Sequence, residues 1–322
     1  MATPALRALR RHVQGRITLS GRPYLAPLFE GHPSIDAFRP VPARGMGALL
    51  SAARELRGEA PDWAVCFPDA TRAALLPALA GIPLRIGYAR EPLRRRLLTR
   101  ALDPPRQNGR RVPISMIERY LRITRALGCD DAGDATELRV ASSADARVRE
   151  RLRAEGLDDP DGYFVMTPGA SFGASKLWPP EHFAAACDQL SERLELRGVL
   201  APGPGEEVIA RAIRAAARSK PIALCSPIGG LGELVALLAR TRLLVTNDTG
   251  PRHIAVALGR PVVCVIGPTD SRHTDHLLDR QRVLREDVAC SPCHRKVCPI
   301  DHRCMTELRP ERVVRAAEEL LS

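Results

Sequence analysis

The feature that most constrains this chain is an alternation. Short apolar runs rich in β-branched residues are separated, along most of its length, by longer stretches with helical periodicity. Parallel strands need a long crossover between them, so repeated strand–helix units build parallel sheets covered by helices on both faces. In the first half, 16–20, 62–67, 84–88 and 97–102 read as strands, and 4–12, 46–56, 71–79 and 113–127 as helices. In the second half, 163–167, 197–201, 221–224, 243–246 and 261–266 read as strands, enough for a complete doubly wound domain. A chain of 322 residues is too long for one small core. The polar breaker cluster from Asp158 to Gly162 marks a boundary, giving an α/β fold of two domains, 1–157 and 158–309. A closing helix at 310–322 is expected to pack across both.

No apolar run approaches the roughly 18 residues of a membrane span, and the first thirty residues lack the order of a signal peptide. A cytoplasmic protein is expected, and a monomer. The net charge of +11 is uneven: residues 1–150 hold 25 Arg and no Lys against 15 acidic residues. Such a field favours phosphate-rich partners, either an anionic substrate or a lipid surface reached peripherally. A solvated Arg-rich surface is the plainer alternative, because only 3 of the 48 basic residues are Lys. Nucleic acid is set aside, since aromatics are 4% and no stacking or recognition-helix pattern occurs.

Two segments carry chemistry. In the first, the strand at 243–246 runs into Asn247, Asp248, Thr249 and Gly250, where a helix begins. Exposed amides at a helix start, beside a hydroxyl, make an anion site suited to a departing diphosphate; a plain N-cap by Asp248 or Thr249 is the other reading. In the second, residues 167–180 follow a buried strand, are rich in glycine and hydroxyls, and carry Lys176 ahead of a helix near Pro180. A loop of this kind brings amides and a point cation to phosphate oxygens. The Gly-Lys-Ser/Thr ending of a P-loop is absent, as is any G-x-G-x-x-G, so kinase, P-loop ATPase and dinucleotide dehydrogenase readings lose their support.

Together with 2–9 and 81–88, the segments at 168–179 and 247–268 resemble glycosyltransferase family 9, the lipopolysaccharide heptosyltransferases, closest to its heptosyltransferase II members. The resemblance implies a GT-B fold of two Rossmann-like domains, with the nucleotide-sugar donor on the C-terminal one and the acceptor on the N-terminal one. It implies inverting transfer of heptose from ADP-heptose to the lipopolysaccharide inner core, a heptosyl-Kdo lipid A acceptor, with no redox cofactor. By motif, Lys176 would contact the donor diphosphate, Thr249 and Gly250 would hold it at the helix start, and Asp248 would bind heptose hydroxyls. Thr167 and Ser171 would add loop hydroxyls on the donor side. Glu206 or Glu207 would sit near the adenosine ribose. His253 would support the site from one turn into the helix, or be a buried structural histidine.

The family places a Gly-Asp pair ahead of the helix at 2–9, and its aspartate is the expected base for the acceptor hydroxyl. This sequence starts after that point, so the first strand and the catalytic aspartate are expected to lie upstream of Met1, or else the chain is a nucleotide-sugar-binding remnant. Asp69, after a strand end, is the one nearby substitute, with surface solvation as its alternative. A GT-B sugar-nucleotide epimerase is the third reading. Among nine cysteines, Cys66, Cys129, Cys187, Cys225 and Cys264 lie in or beside apolar runs and read as core. Cys290, Cys293, Cys298 and Cys304 are clustered, with spacing that leaves open a structural zinc site or free thiols pinning a loop.

Overall fold

The computed structural model describes residues 1–41, 44–157, 159, 162–223 and 230–322, without the side chain of Ala223. Cys225, the end of the strand expected at 221–224 and part of the Asp158 to Gly162 cluster lie outside the described residues. The chain divides into two compact units.

The first unit holds residues 1–135 and 272–274. It opens with α1 (Thr3–His12), started by a proline in its first turn, then β1 (Thr18–Gly21) and β2 (Ala37–Pro40), which pair in parallel. Next come α2 (Met46–Gly58), β3 (Trp63–Cys66), α3 (Thr71–Ala80) and β4 (Leu84–Tyr88). The run expected as a strand at 97–102 divides: Pro92 starts α4 (Pro92–Leu97), and only β5 (Arg100–Leu102) extends the parallel β3–β4–β5 sheet. Arg94 fixes this corner. Fully buried, it donates to the carbonyls of Tyr88 (2.6 Å), Ala70 and Pro68 (2.8 Å), closing the ends of β4 and β3. A two-stranded hairpin, β6 (Arg106–Gln107) and β7 (Arg110–Arg111), precedes α5 (Met116–Arg125), which packs on α1.

The second unit holds residues 136–271 and 275–322, so the division falls at 135/136 and not at 157/158. The reason is α6 (Ser142–Ala154), a helix not among those expected from the sequence. Its buried stripe, Ala144, Val148 and Leu152, recurs every fourth residue. Ion pairs then fasten it to α9 (Leu231–Arg240): Arg147 and Arg151 meet the buried Glu233 at 2.8 and 3.2 Å, and Arg240 holds Asp145 with two bonds of 2.8 Å. The remaining elements are β8 (Tyr163–Thr167), α7 (Pro180–Leu194), β9 (Arg197–Leu200), α8 (Glu207–Ala216), β10 (Ile222–Ala223), β11 (Leu244–Asn247), α10 (Gly250–Ala257), β12 (Val262–Val265), β13 (Gln281–Leu284), α11 (Arg303–Thr306) and α12 (Pro310–Leu321).

Among the described residues its six strands are all parallel, in the order β10-β9-β8-β11-β12-β13. β8, β11 and β12 are buried at every residue, as strands covered on both faces must be. Numbered within the unit, the order is 3-2-1-4-5-6, whose direction reverses between β8 and β11. In sheets of this order ligands bind beyond the carboxyl ends of the strands at that reversal. Helix α12, expected to cross both domains, packs on α7, β12 and β13 of its own unit, through Val313, Val314, Ala316 and Ala317.

Candidate functional site

The loops that leave β8 and β11 are the two segments singled out in the sequence, so the fold places both at the reversal point. Asn247 stitches them together. Fully buried at the end of β11, it donates to the carbonyls of Pro168 (2.6 Å) and Gly169 (3.3 Å) and accepts from the amide of Trp178 (3.2 Å).

Asp248 follows, and its side chain is 5% exposed. Lys176 Nζ donates to Oδ2 and to the Asp248 carbonyl, both at 2.8 Å; Arg252 Nη1 donates to Oδ1 at 2.9 Å, and Thr269 Oγ1 to Oδ2 at 3.1 Å. Burial works to raise this carboxyl, yet Lys176 and then Arg252 hold it below the usual carboxylate range. Arg252, fully buried, also reaches Asp275 (3.0 Å) and Gln281 (2.8 Å). An ammonium has three N–H donors. Asp248 takes two of those on Lys176, which leaves one for a ligand oxygen among the described residues.

Helix α10 starts beside this centre. Thr249 occupies the cap position in extended backbone, but its side chain makes no cap bond; its hydroxyl donates instead to the Asn247 carbonyl at 3.3 Å. Gly250 is exposed, with open space where a Cβ would lie. The start of α10 therefore has no cap bond from Thr249, and the helix dipole adds partial positive charge there. His253 stacks on His276 at 5.5 Å. Burial, then Arg252, push it down to about 3, so its imidazole is neutral through the physiological range.

Glu206 and Glu207, equivalent in the sequence, separate here. Glu206 accepts from the Gly203 amide (2.7 Å) and lies over Gly169, where a Cβ would fall 1.6 Å from its Oε2. Glu207 accepts from the Gly205 amide (3.1 Å), at the first turn of its own helix. Only Glu206 is brought against the loop after β8.

Several expectations are corrected. Thr167 is buried between the strands, its hydroxyl bonded to that of Thr246 at 2.6 Å, so it faces no ligand space. Ser171 is exposed on the loop. Both carboxylate oxygens of Asp248 are occupied, which leaves little capacity for sugar hydroxyls. Asp69 is ion-paired as well as partly solvated: Arg119 grips it at 2.6 and 2.7 Å and Arg90 at 3.2 Å, with Arg119 also 4.3 Å over the Tyr88 ring. Its side chain is 24% exposed, and three of its roughly four acceptor sites are taken. In the cysteine cluster Cys304 is buried in the apolar core and Cys290 is exposed; burial, then the nearby Cys290, Cys298 and Cys293, push the Cys304 thiol up to about 11, and among the described residues no three His, Cys, Asp or Glu side chains are placed to hold a metal ion. Asn247, Arg252 and Thr269 lie in the segments singled out in the sequence but were given no role there, although Arg252 lies four residues after Asp248, the spacing of an ion pair.

Removing Asp248 leaves the fully buried Arg252 and the largely buried Lys176 without their shared anion. Asp248→Ala should therefore destabilise the second unit by about 3–5 kcal/mol, measured by urea or thermal unfolding of the full chain. A loss below about 1 kcal/mol would show that Arg252 and Lys176 find other partners.

A family model, glycosyltransferase family 9 (heptosyltransferase), matches residues 49–303. The chain is 29% identical over 333 aligned positions to lipopolysaccharide heptosyltransferase 2 of Escherichia coli (strain K12), covering 97% of this chain and 91% of that one. Its structure is similar to the glycosyl transferase family 9 protein of Veillonella parvula DSM 2008, with a TM-score of 0.85 at 24% identity over 99% of this chain and 92% of that one. It is also similar to E. coli ADP-heptose LPS heptosyltransferase II, with a TM-score of 0.79 at 25% identity, over 99% of this chain and 94% of that one. Two parallel α/β units of this kind are the GT-B fold. The chain belongs to glycosyltransferase family 9, the heptosyltransferases.

Proposed function

We propose that this glycosyltransferase moves heptose from ADP-heptose, with inversion, onto the inner core of lipopolysaccharide. The observation that carries the donor side is the meeting of Lys176 with the uncapped start of α10 at the reversal point of the sheet. A diphosphate leaving a sugar gains negative charge, and fixed N–H donors aimed at it stabilise that charge more in the transition state than in the bound donor. Lys176 offers its remaining N–H and Thr249 and Gly250 the helix start, while Glu206 takes the adenosine ribose. The anionic acceptor suits the first unit, where the Arg excess lies. A nucleotide-sugar-binding chain without transfer is the second reading, favoured by one observation: Asp69 is occupied by Arg119 and Arg90. Calorimetry and a transfer assay separate the two. ADP should bind more tightly than UDP or GDP, and Lys176→Ala should weaken ADP about ten- to a hundredfold, the worth of a charged hydrogen bond. Tighter UDP binding would overturn the donor assignment; ADP binding without heptose transfer would favour the second reading.

A peripheral position on the cytoplasmic membrane face belongs to the same proposal. No helix among the described residues is long and apolar enough to cross a membrane. Residues 90–111 hold eight Arg against two acidic residues and no Phe, Tyr or Trp. In the β6–β7 hairpin Arg106 faces Arg111 across the strands. Like charges so placed repel, and an isolated hairpin is itself marginal, which favours an anionic surface as its counterpart. Leu93, 60% exposed on α4, adds an apolar contact. Each Arg near an anionic bilayer contributes about 1 kcal/mol. The double variant Arg106→Glu, Arg110→Glu should lower co-sedimentation with phosphatidylglycerol vesicles by more than about tenfold; unchanged co-sedimentation would exclude the hairpin as the contact.

A further inference from the structure

The cysteine-rich stretch between β13 and α11 touches both loops of the donor site. On one side the Ser175 amide donates to the Lys296 carbonyl (3.0 Å), and the Ser175 hydroxyl donates to the Arg295 carbonyl. His302 Nε2 lies 2.7 Å from the Ser175 carbonyl. A carbonyl only accepts, so Nε2 carries the proton. Gly173, at φ +152, completes the fit: a Cβ there would come 2.4 Å from the Lys296 carbonyl oxygen. On the other side the His294 amide donates to the Pro268 carbonyl (2.8 Å), and the Ser291 hydroxyl donates to that of Gly267.

Each anchor is followed directly by a residue that reaches Asp248. Lys176 follows Ser175, Thr269 follows Pro268, and both donate to the same oxygen, Oδ2, at 2.8 and 3.1 Å. We propose that residues 291–302 form a strap that sets Lys176 and Thr269 on Asp248, with His302 as a positioning residue for Lys176 in the transfer reaction. The proposal rests on Lys176 contacting the donor diphosphate. His302 has left-handed backbone, φ +59, a conformation that non-glycine residues seldom adopt, and it holds that conformation with its ring on Ser175. The Ser175 backbone is thereby bonded from both its amide and its carbonyl by one segment, which removes freedom from the residue next to the lysine.

The test uses the full chain, with ADP calorimetry and the donor KM and kcat. His302→Asn keeps a residue that accepts left-handed backbone, but its amide nitrogen overlays the ring's Nδ1 and loses the Ser175 bond. His302→Gln places an amide nitrogen where Nε2 was. His302→Asn should weaken ADP and raise the donor KM about three- to tenfold, the worth of one net hydrogen bond. His302→Gln should return both to within about twofold of the unaltered chain, by the same measure. In a Lys176→Ala background His302→Asn should add no further loss, because it acts through the lysine. Ser175→Ala, which removes only the hydroxyl bond to Arg295, should shift ADP affinity in the same direction, and it serves if the Asn variant fails to fold. Full ADP affinity in His302→Asn and Ser175→Ala, or a loss that adds to that of Lys176→Ala, would overturn the strap. If Lys176→Ala weakens ADP and His302→Asn does not, the donor reading stands and only the strap falls. An unchanged ADP affinity in Lys176→Ala would overturn both.

Discussion

Taking a carboxylate out of water is unfavourable by several kcal/mol unless hydrogen-bonded cations surround it, and the second unit is organised around one such carboxylate. Asp248 accepts from Lys176, Arg252 and Thr269, each on a different segment of the chain. Through Arg252 the network extends to Asp275 and to Gln281 at the start of β13. Through Lys176 it fixes the loop after β8. Removing Lys176 or Arg252 takes a cation from this buried carboxylate, so the geometry of the site and the fold of the unit are coupled. The same network also explains why an anion is attracted to a centre that is close to neutral. Asp248 and Asp275 offset Lys176 and Arg252, and the positive character left over is directional: one N–H of Lys176 and the positive end of the α10 dipole.

Close packing around the loops explains two of their glycines. Gly169 leaves the space that the Glu206 carboxylate occupies, and Gly173 leaves the space for the Lys296 carbonyl. In both places the absent side chain lets another segment approach the loop that carries Lys176. The neutral His253, stacked on His276, adds an uncharged wall beside Asp248, so the cations there are not further opposed or reinforced by an imidazolium.

The second unit was largely legible from local pattern, and the reasons are physical. β8, β11 and β12 are buried on both faces, so their sequences are continuous apolar runs whose type and position stand out. The loops after β8 and β11 carry their chemistry within a few residues of the strand ends. What escaped depends on partners distant in sequence. Glu233 meets Arg147 across 86 residues, and this contact moves α6 into the second unit and shifts the boundary to 135/136. The polar cluster after α6 resembled a linker because only Ala144, Val148 and Leu152 mark the buried face of that helix. Thr167 was legible as a strand-end hydroxyl, but its bond to Thr246, 79 residues away, was not. Asp69 was misread for the same reason, since Arg119 lies 50 residues away. The link from His302 to Ser175, across 127 residues, had no local signature at all.

The account stands or falls on whether Lys176 meets the donor's diphosphate. Phosphorus NMR of saturating ADP bound to the full chain reports on this directly, through the β-phosphorus resonance. The account predicts a shift of that resonance on binding to the unaltered protein and a clearly smaller shift on binding to the Lys176→Ala variant. An identical shift in both proteins would place the diphosphate away from Lys176 and contradict the assignment of the reversal point between β8 and β11 as the donor site.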